Sequence, residues 1–235
     1  MADSVLAVRS SRASRHILDM GAGTGQIGQH LATMAPYIAI DRSLGMLAVF
    51  HDRSSACTVV ADGTTRWPLA DASVSVVFSS RAIHWLPPAL AAHEIARVAA
   101  GGVLLIGRTR RDANDVRRLL RRALHRQLRD AGLEPRAGRD LGEALLALCR
   151  DGGAEDLEPI VAARWPATSR PSTVIAEWRD KPGLGGVASI DPTVKHRVLD
   201  AVTAWAKDNL GDIDRDSTAE DSYVLTGVRL PDTRP

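Results

Sequence analysis

Apolar residues fall along this chain in short runs, separated by stretches whose apolar positions recur every three or four residues. Ile17-Leu18-Asp19-Met20 reads as an apolar strand tip. It leads into the glycine-rich turn Gly21-Ala22-Gly23-Thr24-Gly25, after which Ile27, Leu31 and Met34 predict a helix over residues 26–34. A second strand covers residues 37–41 and ends in a carboxylate, and Leu44, Leu47 and Ala48 form the inner face of a short helix. Further strands are predicted at 57–61, 74–78 and 102–106, with a helix over 89–99 before the last of these. Strands buried on both faces read as unbroken apolar runs, and repeated strand-helix alternation predicts a parallel sheet covered by helices.

The second half changes character. Residues 112–131 form an amphipathic helix, with Val116, Leu120, Ala123, Leu124 and Leu128 on one face and Arg117, Arg118, Arg121, Arg122, Arg126 and Arg129 on the other. A helix over 141–150 and a sixth strand over 157–165 follow. The stretch 166–191 is rich in proline and glycine and holds one short helix near 174–178. Asp191 before Pro192 is a helix-start signature, because Asp caps free amides and Pro tolerates the first turn. The last strand covers 223–230, and its pairing with 157–165 encloses residues 166–221 as an excursion from the sheet edge. The expected architecture is α/β, a doubly wound Rossmann-like, seven-stranded, mostly parallel sheet with an antiparallel last strand and a small helical lid. The expected division is a main domain of 1–165 with 222–235, and a lid or acceptor-binding insertion of 166–221.

Composition narrows the function classes. At 235 residues, with 45% hydrophobic and 25% charged residues, the chain can bury one sizeable core without a metal or disulfide staple. Thirty basic against 28 acidic residues leave a net charge of +2, too little to steer a polyanion over the whole surface. Only Lys181, Lys195 and Lys207 among the basic residues are lysines. Cys57 and Cys149 lack Cys-x-x-Cys spacing or clustered histidines, so both are expected to be reduced and structural, and no metal site is expected. The opening MADSVLAVRSSRASRH holds no apolar stretch long enough for a secretory signal or membrane span, so a cytoplasmic location with no membrane partner is the simpler reading.

The candidate chemistry sits at strand ends. Gly23-Thr24-Gly25-Gln26-Ile27-Gly28 also satisfies the loose dinucleotide fingerprint, so glycines alone decide little. The ordered set is more informative: Asp19 two residues before Gly21, glycines at 21, 23 and 25, Asp41 closing the second strand, and Asp62-Gly63 closing the third. In a parallel sheet these residues meet at the carboxyl ends of neighbouring strands, where open α/β folds bind ligands. No Gly-x-x-x-x-Gly-Lys element is present, which argues against phosphoryl transfer.

This set resembles the class I S-adenosylmethionine-dependent methyltransferases, in particular the broad small-molecule group that includes trans-aconitate-type enzymes. Met20 to Gly25 within ILDMGAGTG is similar to that family's first motif, and LADASVSVVFSSRAIHWL followed by HEIARVAAGG is similar to its fourth strand, histidine-tryptophan pair and helix. Residues 17–109 carry most of the resemblance. It implies S-adenosyl-L-methionine as cofactor, S-adenosyl-L-homocysteine as product, and a cofactor-binding role for the main domain. It implies that Asp19, Met20, Gly21, Gly23 and Gly25 lie at the cofactor's methionine end and that Asp41 receives both ribose hydroxyls. Arg42 and Met46 then flank the adenine, Asp62 with Gly63 meets its amino group, and the Ser79 backbone holds the methionine moiety. Three departures stand out. Only about sixteen residues precede the first strand where relatives carry a helical cover, Ser75 replaces a common Asp, and Ala100 replaces a common Pro. A homodimer covering the short N-terminal side is one way to supply that cover.

Methyl transfer mainly requires alignment of acceptor and methyl group. His84 is the candidate catalytic base, because an imidazole suits proton removal near neutral pH, although hydrogen bonding or packing explains it as well. Trp85 lines an acceptor pocket or anchors the core, Trp178 and Arg179 meet an acceptor or simply pack the lid, and Trp205 is structural. Glu94 and Arg97 stand in an i, i+3 relation and form a surface or tie-down ion pair worth a few tenths of a kcal/mol. The acceptor is expected to be a small, partly apolar biosynthetic metabolite, methylated on oxygen, nitrogen or carbon. The rival readings are a nucleic-acid methyltransferase or binder using the arginines of 108–129, a nicotinamide oxidoreductase, and a non-methylating protein that keeps the cofactor fold.

Overall fold

The structure is a computed structural model that describes residues 16–135 and 140–232. The N-terminal stretch through Arg15, with the expectations placed on its cover, lies outside the described residues. The first half follows the predicted alternation: β1 (Ile17–Met20), α1 (Gly28–Ala32), β2 (Tyr37–Asp41), α2 (Leu44–His51), β3 (Cys57–Val60), β4 (Val76–Ser80), a 3-10 turn (Ile83–Trp85), α3 (Pro88–Val98) and β5 (Val103–Arg110). Then come α4 (Val116–Asp130), α5 (Leu141–Asp151), β6 (Glu155–Ser169), α6 (Pro171–Arg179), α7 (Pro192–Leu210) and β7 (Ser217–Arg229). One seven-stranded sheet runs in the order β3-β2-β1-β4-β5-β7-β6, mostly parallel with an antiparallel last-strand pair. This is the doubly wound, seven-stranded arrangement expected from the sequence.

β1 lies between β2 and β4 in parallel register, with Asp19 opposite Ala39 on one side and Phe78 on the other. Side chains alternate between faces along each strand. Leu18, Met20, Ile40, Val77, Leu104 and Ile106 therefore share a face, where they pack with Ala91, Ile95 and Val98 of α3 and Leu145, Leu146 and Cys149 of α5. Ile17, Asp19, Tyr37 and Phe78 take the opposite face, and all four are buried. Ser75 is buried and donates to the His16 carbonyl at 3.3 Å.

Element bounds differ from the sequence reading at two places that matter. β6 runs to Ser169 and contains both Pro159 and Pro166, whereas proline content suggested that the strand stops at 165. β6 is the last strand in the sheet order, and an edge strand is where a sheet tolerates proline. β7 likewise starts at Ser217, six residues before Tyr223. The first-helix expectation contracts to Gly28–Ala32.

By internal contacts the chain divides into two units: Met1–Arg108 with Asp140–Ala163 and Tyr223–Pro235, and Thr109–Arg139 with Arg164–Ser222. In the second unit α4, α6 and α7 bury Val116, Leu120, Leu124, Val174, Ile175, Val198 and Val202 together, with Trp178 and Trp205 packed alongside. Asp191 caps α7 as its sequence predicts, accepting from Thr193 N at 2.9 Å and Val194 N at 3.1 Å. No helix among the described residues is long and apolar enough to cross a membrane.

Candidate functional site

The glycine turn after β1 is held from below by packing. Gly21 has φ +76°, and a Cβ there would fall 2.1 Å from the Ala82 Cβ, so the turn can lie against the segment after β4 only without a side chain. A Cβ at Gly25 would enter the Phe50 ring at 2.3 Å. Gly23 is different: its Cβ position meets only the Met46 sulfur at 3.9 Å, so this part of the turn borders open space.

Asp19 lies directly behind the turn, 3% exposed. Its Oδ2 accepts from the Tyr37 hydroxyl at 2.5 Å, while its Oδ1 is buried with no hydrogen-bond partner. Burial pushes the Asp19 carboxyl up to about 7; the Tyr37 bond opposes that shift and the nearby Asp41 charge adds to it. Burial and Asp19 together push the Tyr37 hydroxyl up as well. A buried carboxyl oxygen without a donor is costly unless something else meets it.

Asp41 closes β2 half-buried, with Oδ2 accepting from Gly23 N and Oδ1 from Ser43 N, both at 2.9 Å. These bonds tie the glycine turn to the second strand and aim the carboxylate. Each oxygen keeps further acceptor capacity. Arg42 and Met46 stand exposed beside it, Met46 at 48%. Asp62 is exposed, and its Oδ1 accepts from the Thr64 amide and hydroxyl, both at 2.8 Å. Those bonds hold its carboxyl below the usual range, with Arg42 adding to the effect. Gly63 is buried, and a Cβ there would meet Leu86 at 2.6 Å. Met20 is buried, and its carbonyl accepts from the fully buried Ser79 hydroxyl at 2.8 Å, which locks the tips of β1 and β4 together.

Beyond Ser79 the chain turns sharply. Arg81 has φ +62°, a left-handed conformation that Ala72 alone shares among the described non-glycine residues. Ile83 is buried as the anchor of the 3-10 turn, whereas His84 and Trp85 are exposed, Trp85 at 71%, with ring centroids 4.8 Å apart. Trp85 is thus no core anchor. Arg179 pairs with Asp200 at 3.1 Å inside the second unit. An open cleft of about 640 Å³ in that unit, lined by Pro192, Thr193, His196, Arg197 and Asp200, contains none of the site residues expected from sequence.

Of the two sequence readings of Glu94 and Arg97, the tie-down pair is the one the structure shows, although buried rather than at the surface. They are 2% and 6% exposed, joined at 2.6 and 3.1 Å, and Arg97 also donates to the carbonyls of Trp67 and Leu69 and to Asp71. Glu94 accepts from Trp67 N at 2.7 Å, and the Trp67 indole donates to the Gly63 carbonyl at 3.2 Å. The pair therefore fastens the loop that carries Asp62 and Gly63. Spacing along a helix reveals such a pair but not that a distant loop will cover it. The partnership of Tyr37 with Asp19 was also missed, although strand register places Tyr37 beside Ile17, on the same face as Asp19.

Residues 18–106 match the family model described as a methyltransferase domain. The malonyl-[acyl-carrier protein] O-methyltransferase of Dechloromonas aromatica (strain RCB) is 37% identical over 98 residues, 40% of this chain and 36% of that protein. The chain thus spans about a third of the length of the curated relatives it matches. Among solved structures, a candidate type II methyltransferase from Anaeromyxobacter dehalogenans superposes with a TM-score of 0.60 at 20% identity, covering 98% of this chain and 95% of that one. The [4+2]-cyclase SpnF gives a TM-score of 0.52 at 20% identity over 98% of this chain and 80% of that one. Likeness at that level speaks for the fold. Residues 18–106 are thus similar to a methyltransferase domain, and the chain shares the fold of these solved structures.

Proposed function

We propose that this chain, whose residues 18–106 match the methyltransferase-domain model, is an S-adenosylmethionine-dependent methyltransferase acting on a small molecule. The observation that carries the reading is the buried, unpartnered Asp19 Oδ1 behind a glycine turn that is open at Gly23. A cationic donor at that point satisfies the orphaned oxygen, and the ammonium of the cofactor's methionine end is such a donor.

The remaining donors and acceptors fit a nucleoside. Asp41, aimed by Gly23 N and Ser43 N, keeps acceptor capacity on both oxygens for a ribose diol. Asp62, kept ionised by its Thr64 bonds, offers an acceptor for an exocyclic amino group, with Gly63 beside it. Arg42 and Met46 flank the base, and Met20, Gly21, Gly25 and the Ser79 backbone shape the methionine end. When bound, the cofactor would supply a sulfonium methyl group, whose carbon an acceptor atom could attack in line with the sulfur so that the thioether S-adenosylhomocysteine leaves. His84, exposed after the β4 tip, is the proposed base where the acceptor must lose a proton, and Trp85 offers it an apolar face. Residues 166–221 take part in acceptor recognition. The acceptor itself is a partly apolar biosynthetic metabolite, and the protein works in the cytoplasm.

Equilibrium dialysis against methyl-labelled S-adenosylmethionine and, separately, NAD tests the cofactor class. The expected result is saturable retention of the first and none of the second. Incubation with an acceptor panel and mass analysis for a gain of one methyl group then tests the reaction.

A further inference from the structure

Arg81 combines three features that nothing in the fold requires. It is exposed, it holds a left-handed backbone conformation that L side chains rarely adopt, and its guanidinium has no hydrogen-bond or ion-pair partner among the described residues. Arginines that serve the fold here look otherwise: Arg97 is buried and fully paired, and Arg117 is held by both oxygens of Glu177. Strained backbone that persists without a packing role points to a function at the residue concerned.

The neighbours of Arg81 hold it in place from both sides. Ala82 packs under Gly21, so the segment is pinned to the glycine turn. Ser80 accepts a 2.5 Å hydrogen bond from the Tyr223 hydroxyl of β7. The Tyr223 ring reaches Ser80 across β5 because residue 107, paired with Ser80 in the ladder, is glycine: a Cβ there would lie 2.0 Å from the Tyr223 oxygen. With Tyr223 donating to its oxygen, Ser80 has its own proton to offer a further acceptor. The end of β4 thus carries a hydroxyl donor at Ser80 followed in the chain by an exposed arginine without a hydrogen-bond or ion-pair partner among the described residues. The charge of Arg81 opposes the upward shift that burial gives the Tyr223 hydroxyl.

We propose that Arg81, with the Ser80 hydroxyl held by Tyr223, binds a carboxylate of the methyl acceptor. The proposal rests on the methyltransferase reading above and narrows the acceptor to molecules carrying an acid group. Planar guanidinium geometry suits a carboxylate, and the neighbouring hydroxyl adds a third donor. The cofactor's own amino-acid carboxylate shares this chemistry, so the test must separate the two sources.

The full chain is loaded with S-adenosylhomocysteine and its melting temperature followed against acetate, malonate, octanoate and benzoate, with the matching primary amides as neutral controls. The expected result is an upward shift with at least one carboxylate and none with its amide, lost in Arg81→Gln and Arg81→Gly and kept in part by Arg81→Lys. Glycine accepts the left-handed backbone, so Arg81→Gly removes the charge without unfolding the turn. Calorimetry with S-adenosylhomocysteine and with 5′-methylthioadenosine, which lacks the amino-acid end, runs alongside. Unchanged affinities for both in Arg81→Gln support the acceptor assignment. A loss of about tenfold for S-adenosylhomocysteine alone keeps Arg81 as a carboxylate site but transfers it to the cofactor. No shift with any carboxylate, or a shift that survives Arg81→Gln, overturns the proposal. Failure of the wild type to bind either nucleoside instead removes the methyltransferase reading and this inference with it.

Discussion

Two polar clusters of the first unit, built from the same residue types, have opposite degrees of completion. Around Glu94 and Arg97 every carboxylate oxygen and guanidinium arm meets a partner, and the cluster fastens the loop from Gly63 to Asp71. At the tips of β1 and β4, Asp19 keeps a buried oxygen without a donor, and Arg81 keeps its guanidinium free on a left-handed backbone. A closed cluster explains itself by stability. An incomplete one marks where a ligand completes the set; among the described residues only the His125 Nε2 shares with Asp19 Oδ1 the state of a buried side-chain polar atom without a partner, and it lies in the second unit.

The comparison is broken most severely at the closed cluster. Glu94→Ala leaves Arg97 buried without its main counter-charge, and urea denaturation is expected to show a loss of about 3–5 kcal/mol. A loss below about 1 kcal/mol would mean that the loop is held by something else. At the open cluster, Asp19→Asn is expected to lower S-adenosylhomocysteine affinity by about a hundredfold at pH 8, because an ionised carboxylate there is the partner of the ligand ammonium. Its stability should not fall, since a neutral side chain suits that burial. Asp41→Ala should weaken binding by about tenfold or more by calorimetry, and unchanged affinity would reject the ribose contact. Asp62→Ala should have the smallest effect, less than about tenfold, because its carboxylate is exposed and solvent competes for the same hydrogen bond.

The two buried carboxylates also differ in the sign of their pH dependence. Glu94 is held below the usual carboxylate range, first by its hydrogen bonds from Arg97, so its contribution is present above the unfolded-state value and lost as pH falls through the folded one. Asp19 is raised to about 7, so the folded state holds a proton that the unfolded chain has released; stability is greatest below about 4 and declines as pH rises toward 7. Tyr37, Asp41 and Tyr223 are the titratable groups that act on it. Urea denaturation of wild type and Asp19→Asn between pH 4.5 and 8 should show this decline in the wild type only. Curves that run parallel would show that Asp19 does not titrate in that window.

Much of this was legible in the sequence. Apolar runs, glycine turn and terminal carboxylates locate the parallel strands and their shared edge, because each is a local pattern. The exact ends of β6 and β7 were not, since the stretch from Pro166 onward read as irregular until the sheet order shows the strand at an edge. The acids at 19, 41 and 62 could be singled out by position, but not their states. Whether Asp19 has a donor for each oxygen depends on Tyr37, eighteen residues away, and on what else the fold leaves near it. Arg81 gave no signal at all: neither its positive φ nor its missing partner is a property of the residues around it in the chain.

The most direct measurement is calorimetric titration of the full chain with S-adenosylhomocysteine at pH 6.5, in two buffers of different ionisation heat. With Asp19 partly protonated in the free protein and ionised against the ligand ammonium, one molecule should bind per chain and release a fraction of a proton, a release that Asp19→Asn abolishes. No binding in either buffer, or binding with the same heat in both, would contradict the account.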